Sequence, residues 1–201
     1  MKHYTLLLIT LFFSSLLFQG CEDNEETEPN HPPVIGSAVS IMSDDKQAQM
    51  APSTQALNEI SQNIVEILKL QLKEIEQQES ANVLKTIEYC DISGLKEWES
   101  TSNFYINYEA CQTEESFQEG ALVLTYEKND EQWLYPEALS LQVSSPYTFN
   151  DIVLEENLSL QSSIQYNASK EIENISFIVT GLLHYDYQNI QLEAYLETIT
   201  F

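Results

Sequence analysis

The middle of the chain carries the segment Tyr89-Cys90-Asp91-Ile92-Ser93-Gly94, followed by Tyr108-Glu109-Ala110-Cys111. Its two cysteines can join neighbouring strands covalently, so the rest of the predicted sheet is built around this stretch. Residues 81–90 and 103–111 each alternate apolar and polar side chains, which predicts a β-strand in each range. The residues between the cysteines are rich in turn formers and have no helical period. The spacing therefore predicts a hairpin-like excursion closed by a disulfide.

A bond between Cys90 and Cys111 requires an oxidising compartment. Closing a loop of this size would stabilise the fold by about 3 kcal/mol. Two alternatives are open from the residues alone: both thiols are free, or both bind a metal. Zinc sites usually take cysteines in closely spaced pairs, so a metal fits this spacing less well. We expect a disulfide, no metal site and no cofactor.

The N-terminus predicts export. Residues 1–3 give a positive start, residues 6–18 are largely apolar, and Gly20 directly precedes Cys21. An apolar run of this length predicts a signal peptide rather than a transmembrane helix. The small residue before Cys21 resembles the lipobox of bacterial lipoproteins, which implies that residues 1–20 are removed and that Cys21 is lipidated. The alternative is an ordinary cleaved signal peptide with Cys21 as a spare thiol.

Residues 21–51 are predicted to be an acidic, disordered tether. Residues 22–28 are mostly acidic and cannot bury apolar surface, so they should stay solvated. Acidic residues directly after a lipidated cysteine also resemble the surface-export signals of some bacterial lipoproteins. The sequence leaves both interpretations of this segment open.

A long amphipathic helix is predicted at about residues 53 to 78. Pro52-Ser53-Thr54 is typical of a helix start, and apolar residues then recur at intervals of three and four. Such a face must pack on a sheet, a partner helix or a membrane. The polar face has no basic rim, so a membrane surface is the weakest of these three.

Past Cys111 the sequence indicates one strand after another, and no stretch keeps a helical period. Turns are expected at Asn129-Asp130, Ser145-Pro146, Glu155-Glu156-Asn157, Asn167-Ala168-Ser169-Lys170 and Asp186-Tyr187-Gln188-Asn189. We predict a single α+β domain over residues 52–201. In it, one long N-terminal amphipathic helix packs on a curled antiparallel β-meander of about eight to ten strands.

The central segment also resembles a known group of proteins. The similarity rests on Cys90-x-x-Ser93-Gly94, a long polar excursion, Tyr108-x-x-Cys111, and Gly120 before an alternating strand. This pattern resembles uncharacterised β-rich lipoproteins of Gram-negative bacteria, in which a helix leads into a disulfide hairpin and a meander. The resemblance implies the same disulfide and a lipid-anchored location in the bacterial cell envelope, at the outer membrane on its periplasmic or surface side. It implies no particular activity.

Charge narrows the range of partners. The chain has 32 acidic residues against 8 lysines and no arginine, with a formal net charge of -24 at pH 7. Nucleic acids and other polyanions are therefore poor partners, whereas cations or basic protein surfaces fit better. Asp44-Asp45, Glu114-Glu115 and Glu155-Glu156 lack the alternating oxygen ligands of a calcium loop, so we expect solvated turn acids.

The sequence shows no catalytic signature. Only His31 and His184 follow the predicted signal peptide, and there is no phosphate-binding loop, zinc-protease motif or nucleophile elbow. His184 and Asp186 are predicted to share a strand face as an exposed hydrogen-bonding pair. A hydrolase that uses a pair of carboxylates is still an alternative, because acids are plentiful and their separations are invisible in sequence.

We therefore predict a lipid-anchored cell-envelope protein with a non-catalytic binding or structural role. Its membrane contact is the lipid on Cys21, and its further partner is an envelope protein or a small apolar ligand held on the concave face of the sheet. The helix and strands could also pack with no pocket, which would favour a structural role. The alternative function is a small periplasmic hydrolase of glycans or peptides.

Overall fold

The computed structural model describes residues 38–41, 52–81, 84–100, 103–127 and 136–201. These residues form one helix and ten strands, so the fold is α+β as predicted. The elements are β1 (Ala38–Ile41), α1 (Thr54–Ala81), β2 (Lys85–Tyr89), β3 (Ser93–Ser100), β4 (Phe104–Gln112), β5 (Phe117–Glu127), β6 (Ala138–Phe149), β7 (Ile152–Leu154), β8 (Ser159–Tyr166), β9 (Ile172–Tyr185) and β10 (Gln188–Thr200).

All ten strands belong to one antiparallel sheet. Their order is β1-β10-β9-β7-β6-β5-β4-β3-β2, and β8 also lies between β6 and β9. Except at the step from β7 to β8, and apart from β1, strands that follow one another in the chain also pair in the sheet, so the predicted meander is confirmed. Among the described residues, β1 and β2 are the two edges of the sheet.

The long strands bury one face and expose the other. In β4, Phe104, Ile106 and Tyr108 are buried, whereas Tyr105 and Glu109 are exposed. The same alternation recurs in β6, β8 and most of β9. This pattern is typical of an antiparallel sheet that is covered on one side.

Helix α1 covers the buried face. Ser61 hydrogen-bonds to Tyr195 on β10 at 3.1 Å, and Gln78 donates to Glu88 on β2 at 3.4 Å. The helix therefore contacts strands near both edges of the sheet. Its fully buried apolar residues are Ile60, Ile64, Ile67, Leu68 and Ile75. They join the apolar side chains of the sheet in a single core cluster.

The helix differs from its predicted position. It is not N-terminal, because it begins at Thr54 and follows β1 in the chain. It continues to Ala81, beyond the predicted end at about 78, so the strand predicted at 81–90 is shortened to β2. The four residues of β1 lie within the range 21–51 that the sequence assigned to a tether, and they pair with β10.

The largest difference lies between the two cysteines. Instead of the predicted irregular excursion, the structure has strand β3, which pairs with both β2 and β4. The two strands that were predicted to be neighbours are therefore separated by a third. The sequence pattern did not predict β3, because Lys96 and Trp98 occupy its inward positions and a lysine on the buried face disrupts the apolar alternation.

The turn predictions were partly correct. The turns expected at residues 155–157, 167–170 and 186–189 are present, whereas the one expected at Ser145-Pro146 is wrong because β6 is continuous there. The register with β5 shifts near Gly120 opposite this point. Such an irregularity tolerates a proline, which lacks a backbone N–H donor. The turn expected at Asn129-Asp130 lies outside the described residues.

Candidate functional site

The predicted disulfide is present and ties the end of β2 to β4. Cys90 and Cys111 are bonded, with their Cα atoms 5.5 Å apart. The turn that leads from Cys90 into β3 is held by two backbone hydrogen bonds. Cys90 N–H donates to the Gly94 carbonyl at 3.1 Å, and Ile92 N–H donates to the Gln112 carbonyl at 3.0 Å. The bond therefore spans the start of β3 and fastens three strands at one corner of the sheet.

Gly94 allows this close approach. Its φ is +80°, and a Cβ atom at this position would lie 2.1 Å from the carbonyl oxygen of Ala110. Ala110 itself has φ of 45° at the irregularity where the register between β3 and β4 shifts. Because no side chain fits between these backbones, glycine is required for the geometry of the corner.

Strand β2 is the edge of the sheet next to this corner. Within the described residues it pairs with β3 alone. Cys90 N–H bonds to Gly94, and Ser100 N–H bonds to the Leu84 carbonyl at 2.8 Å. Hydrogen-bonded positions alternate along an antiparallel pair, so the even-numbered residues of β2 bond to β3. The N–H and C=O groups of Lys85, Ile87 and Tyr89 therefore point away from the sheet.

The side chains of β2 are reversed relative to the rest of the sheet. Its apolar residues face solvent, with Ile87 57% and Tyr89 85% exposed, while Glu88 faces inward. Leu84 and Ile92, just before and after the strand, are also exposed, at 75% and 60%. An exposed apolar patch on an edge strand is unusual, so this edge is a candidate interaction surface.

A polar cleft of about 360 Å³ opens beside the disulfide. It lies between α1, the end of β2 and the turn from β4 to β5. Its lining includes Lys73, Glu74, Glu88, Asp91 and Glu115, together with the disulfide. The cleft and the edge of β2 adjoin, because Glu88 and Tyr89 belong to both, and together they form the candidate site.

An ion cluster, largely buried at Lys96 and Glu74 and partly exposed at Glu88, forms one wall of the cleft. Lys96 Nζ lies 2.7 Å and 2.8 Å from the two carboxylate oxygens of Glu74 and 3.1 Å from Glu88 Oε2. Burial acts to lower the pKa of Lys96, but the attraction of Glu74 and Glu88 outweighs it and the pKa is raised. Burial acts to raise the pKa of Glu88, but the hydrogen bond and the positive charge of Lys96, with further hydrogen bonds, together outweigh it and the pKa is lowered. Lys96 and Glu88 are therefore both charged at neutral pH.

Two buried tyrosines lie behind the cleft. Tyr108 and Gln71 hydrogen-bond at 3.2 Å, and Tyr147 donates to Gln118 Oε1 at 2.8 Å. Burial raises the pKa of both phenols, so neither ionises at neutral pH. Their hydroxyl groups are satisfied within the protein, which indicates a structural role.

His184 has partners that the sequence did not predict. Its Nε2 lies 2.6 Å from Glu155 Oε1, and its Nδ1 contacts Asn189 Oδ1. Asp186, the predicted partner, lies after the end of β9 in the exposed turn that leads to β10. Glu155 is 29 residues away in the chain, in the segment after β7, so no local sequence pattern could reveal this contact.

The predicted acidic pairs fall in different surroundings. Glu114 and Glu115 are exposed, and Glu156 is exposed beside the half-buried Glu155. Among the described residues, no group of three or more His, Cys, Asp or Glu side chains is placed to hold a metal ion. Cys21, His31 and Asp44-Asp45 lie outside those residues. In the part of the chain that the structure describes, no helix has the length and apolarity to span a membrane.

The chain was compared with family models, with curated proteins and with solved structures, and no match was found in any of the three comparisons. The candidate site is therefore interpreted from its own geometry. The alternation of apolar and polar residues correctly predicted the strand β2. Alternation alone does not say which set of residues faces the core.

Proposed function

We propose that this chain is a lipid-anchored cell-envelope protein whose role is non-catalytic, and that it binds an extended segment of another protein at the edge of β2. The observation that carries the proposal is the reversed face of this strand. Ile87 and Tyr89 face solvent beside backbone groups that have no partner strand among the described residues. An extended segment can bond to such an edge through its main chain and can bury apolar side chains at the same time.

A protein segment fits this site better than a small apolar ligand. The inner face of the sheet is already covered by α1, whose apolar residues are fully buried. The cleft beside the disulfide is lined mostly by polar and charged side chains. Pockets for apolar small molecules are instead lined mainly by apolar and aromatic side chains. The exposed apolar surface lies at the edge of the sheet, where a protein strand can reach it.

The ion cluster argues against the hydrolase alternative at this cleft. A glycosidase of this type needs one carboxylic acid with a raised pKa to protonate the leaving group. Glu74 and Glu88 instead share Lys96, and the pKa of Glu88 is lowered. Lys96 therefore holds Glu88 in its ionised form, which favours a non-catalytic role at this cleft.

The envelope location belongs to the same proposal. It is supported by the signal-like residues 1–20, by Cys21 after a small residue, and by the resemblance to β-rich lipoproteins of Gram-negative bacteria. The disulfide between Cys90 and Cys111 is consistent with an oxidising compartment. We further propose that the sheet is curled around α1, since wide twisted sheets tend to curl.

Site-specific photo-crosslinking in cells that produce the protein tests the proposal. A photoreactive phenylalanine analogue replaces Tyr89 in one variant and Tyr187, which is also fully solvent-exposed, in the matched control. We expect a discrete protein adduct from position 89 and none from position 187. Equal adduct patterns from both positions, or no adduct from position 89, would overturn the assignment of this edge as the binding site.

A further inference from the structure

We infer that the segment bound at β2 is a strand of another protein in which apolar side chains alternate with basic ones. This inference rests on the proposed function, and it adds the chemistry and the pairing of the partner. It is carried by the direction of the backbone groups of β2, by the two faces of its side chains, and by the charges around it.

The backbone of β2 determines how a strand would pair. Lys85, Ile87 and Tyr89 each direct one N–H donor and one C=O acceptor away from β3. These groups lie on alternate residues, so they match the spacing of an added β-strand. The partner therefore pairs its main chain with these three residues and extends the sheet by one strand beyond β2.

The outer face of β2 carries apolar side chains that an added strand could cover. The side chains of Ile87 and Tyr89 are exposed there, and Leu95 on β3 is the cross-strand neighbour of Tyr89. Residues of the added strand that lie opposite Ile87 and Tyr89 would place their side chains on this same face. Apolar side chains at those positions would cover surface that now contacts water.

The charges around the edge are mostly negative. Glu88 faces the inner side of β2 and is 41% exposed, and Asp91 is exposed in the adjoining turn. Glu97 and Glu99 lie on the outer face of β3. Of the nearby lysines, Lys85 and Lys96 have acidic partners, and Lys73 lines a cleft in which acids outnumber lysines. Lys85 is paired with Glu97 and lies 4.0 Å from Glu99.

Lys96 is held by Glu74 and Glu88, so it does not offset the remaining acids. Basic side chains on the alternate positions of the partner would face Glu88 and Asp91 and would complement this charge. A second copy of the chain would bring the same acids together, and each copy carries a net charge of -24. The partner is therefore a different, basic protein segment.

The variant Ile87→Pro tests the pairing. The N–H of Ile87 points away from β3, so proline removes a donor that the sheet itself does not use, and edge strands accept proline at such positions. The matched variant Ile87→Thr keeps the N–H donor and a β-branched side chain. We expect both variants to keep the circular dichroism spectrum and the cooperative unfolding of the wild type.

Binding is measured by fluorescence anisotropy on the full chain in detergent solution. The probes are labelled peptides of about seven residues, the length of an ordinary strand, in which valine alternates with lysine, serine or glutamate. We expect the lysine peptide to bind about tenfold more tightly than the serine peptide and the glutamate peptide not to bind. Ile87→Pro should weaken binding of the lysine peptide about tenfold or more, and Ile87→Thr much less.

The charge contribution is tested by a pair of matched double variants. Asp91→Asn with Glu115→Gln removes two exposed acids of the cleft that adjoins Glu88, and Asp186→Asn with Glu156→Gln removes two exposed acids elsewhere. Only the first variant should reduce the preference for the lysine peptide.

The outcomes separate the inference from the proposed function. Equal binding of the lysine and serine peptides, still sensitive to Ile87→Pro, would overturn the basic partner but leave strand addition in place. Binding that is insensitive to Ile87→Pro would overturn the pairing, and an equal effect of the two double variants would overturn the charge assignment. Dimerisation of the chain that Ile87→Pro abolishes, detected by light scattering, would identify a second copy as the occupant and overturn the inference.

Discussion

Lys96 on β3 and Glu74 on α1 form a buried ion pair, with the lysine nitrogen 2.7 Å and 2.8 Å from the two carboxylate oxygens. Lys96 lies on the inner face of the sheet, two residues from the buried Trp98 and opposite Glu88 and Tyr108 on the neighbouring strands. The pair joins the helix to the edge of the sheet that carries the candidate site. The contribution of this ion pair to the stability of the fold is therefore sensitive to the loss of either residue.

We expect Lys96→Met to lower the free energy of unfolding by about 3 to 5 kcal/mol, because it leaves the carboxylate of Glu74 buried and without its cation. The double variant Lys96→Met with Glu74→Leu removes both charges and should recover most of the loss. Urea unfolding followed by circular dichroism measures both. A single variant that is as stable as the double variant would contradict this description of the pair.

The same pair predicts a loss of stability at alkaline pH. The pKa of Lys96 is raised above its ordinary value of 10.5, so its stabilising contribution is complete below that value and is lost as the pH rises through the folded-state pKa. The buried tyrosines also lower the stability of the protein in this pH range, but their effect is the same in the wild type and in Lys96→Met. The stability difference between the two proteins should therefore shrink above about pH 10.5, which urea titrations at increasing pH would measure.

Gly94→Ala should destabilise the protein by more than about 2 kcal/mol. Alanine is disfavoured at a φ of +80°, and its Cβ would lie 2.1 Å from a backbone oxygen that has no room to move aside. Ser93→Ala, at the neighbouring exposed position, is the control and should change stability little. The comparison uses thermal unfolding, and equal melting temperatures for the two variants would show that the close approach at this corner is not needed.

Removal of the disulfide should lower the free energy of unfolding by about 3 kcal/mol, as expected for a closed loop with a sequence separation of 21. The double variant Cys90→Ala with Cys111→Ala tests this, compared with wild type under non-reducing conditions. Added reductant should destabilise the wild type and leave the double variant unchanged. Peptide mapping without reductant should recover the Cys90 and Cys111 peptides as one cross-linked species.

The lipid anchor makes a separate prediction. Cys21→Ser should move the protein from the membrane fraction to the soluble fraction, because the thiol that would receive the lipid is gone. The double variant Cys90→Ser with Cys111→Ser keeps Cys21 and should stay in the membrane fraction. Membrane retention of Cys21→Ser would contradict lipidation at this residue.

The parts of the fold that could be predicted are those with a strong local period. The apolar residues of α1 recur at helical spacing, and the strands after Gly120 alternate regularly, so both were identified from sequence. β3 could not be, because the charge of Lys96 on its buried face is balanced by Glu74, which is distant in the chain. The alternation of β2 was visible, but its reversed orientation depends on the lysine and glutamate side chains that meet beneath it.

The candidate site was predictable only in part for the same reason. The disulfide followed from the spacing of two cysteines and the turn-forming residues between them. The contact of His184 with Glu155 and the cleft beside Cys90 arise from segments that the fold brings together from different parts of the chain. No local pattern in a single sequence indicates contacts between segments that are far apart in the chain.

The position of the disulfide has a mechanical consequence for β2. A strand at the edge of a sheet can be peeled away one hydrogen bond at a time when force is applied at its end. At the Cys90 end, the disulfide joins β2 directly to β4, so a force applied there acts on the covalent bond. The hydrogen bonds between β2 and β3 therefore cannot begin to break at that end. A partner that pulls on β2 would have to detach it from the Lys85 end. The corner that contains Gly94 thus acts as a fixed clamp, and resistance to tension depends on the direction of the pull.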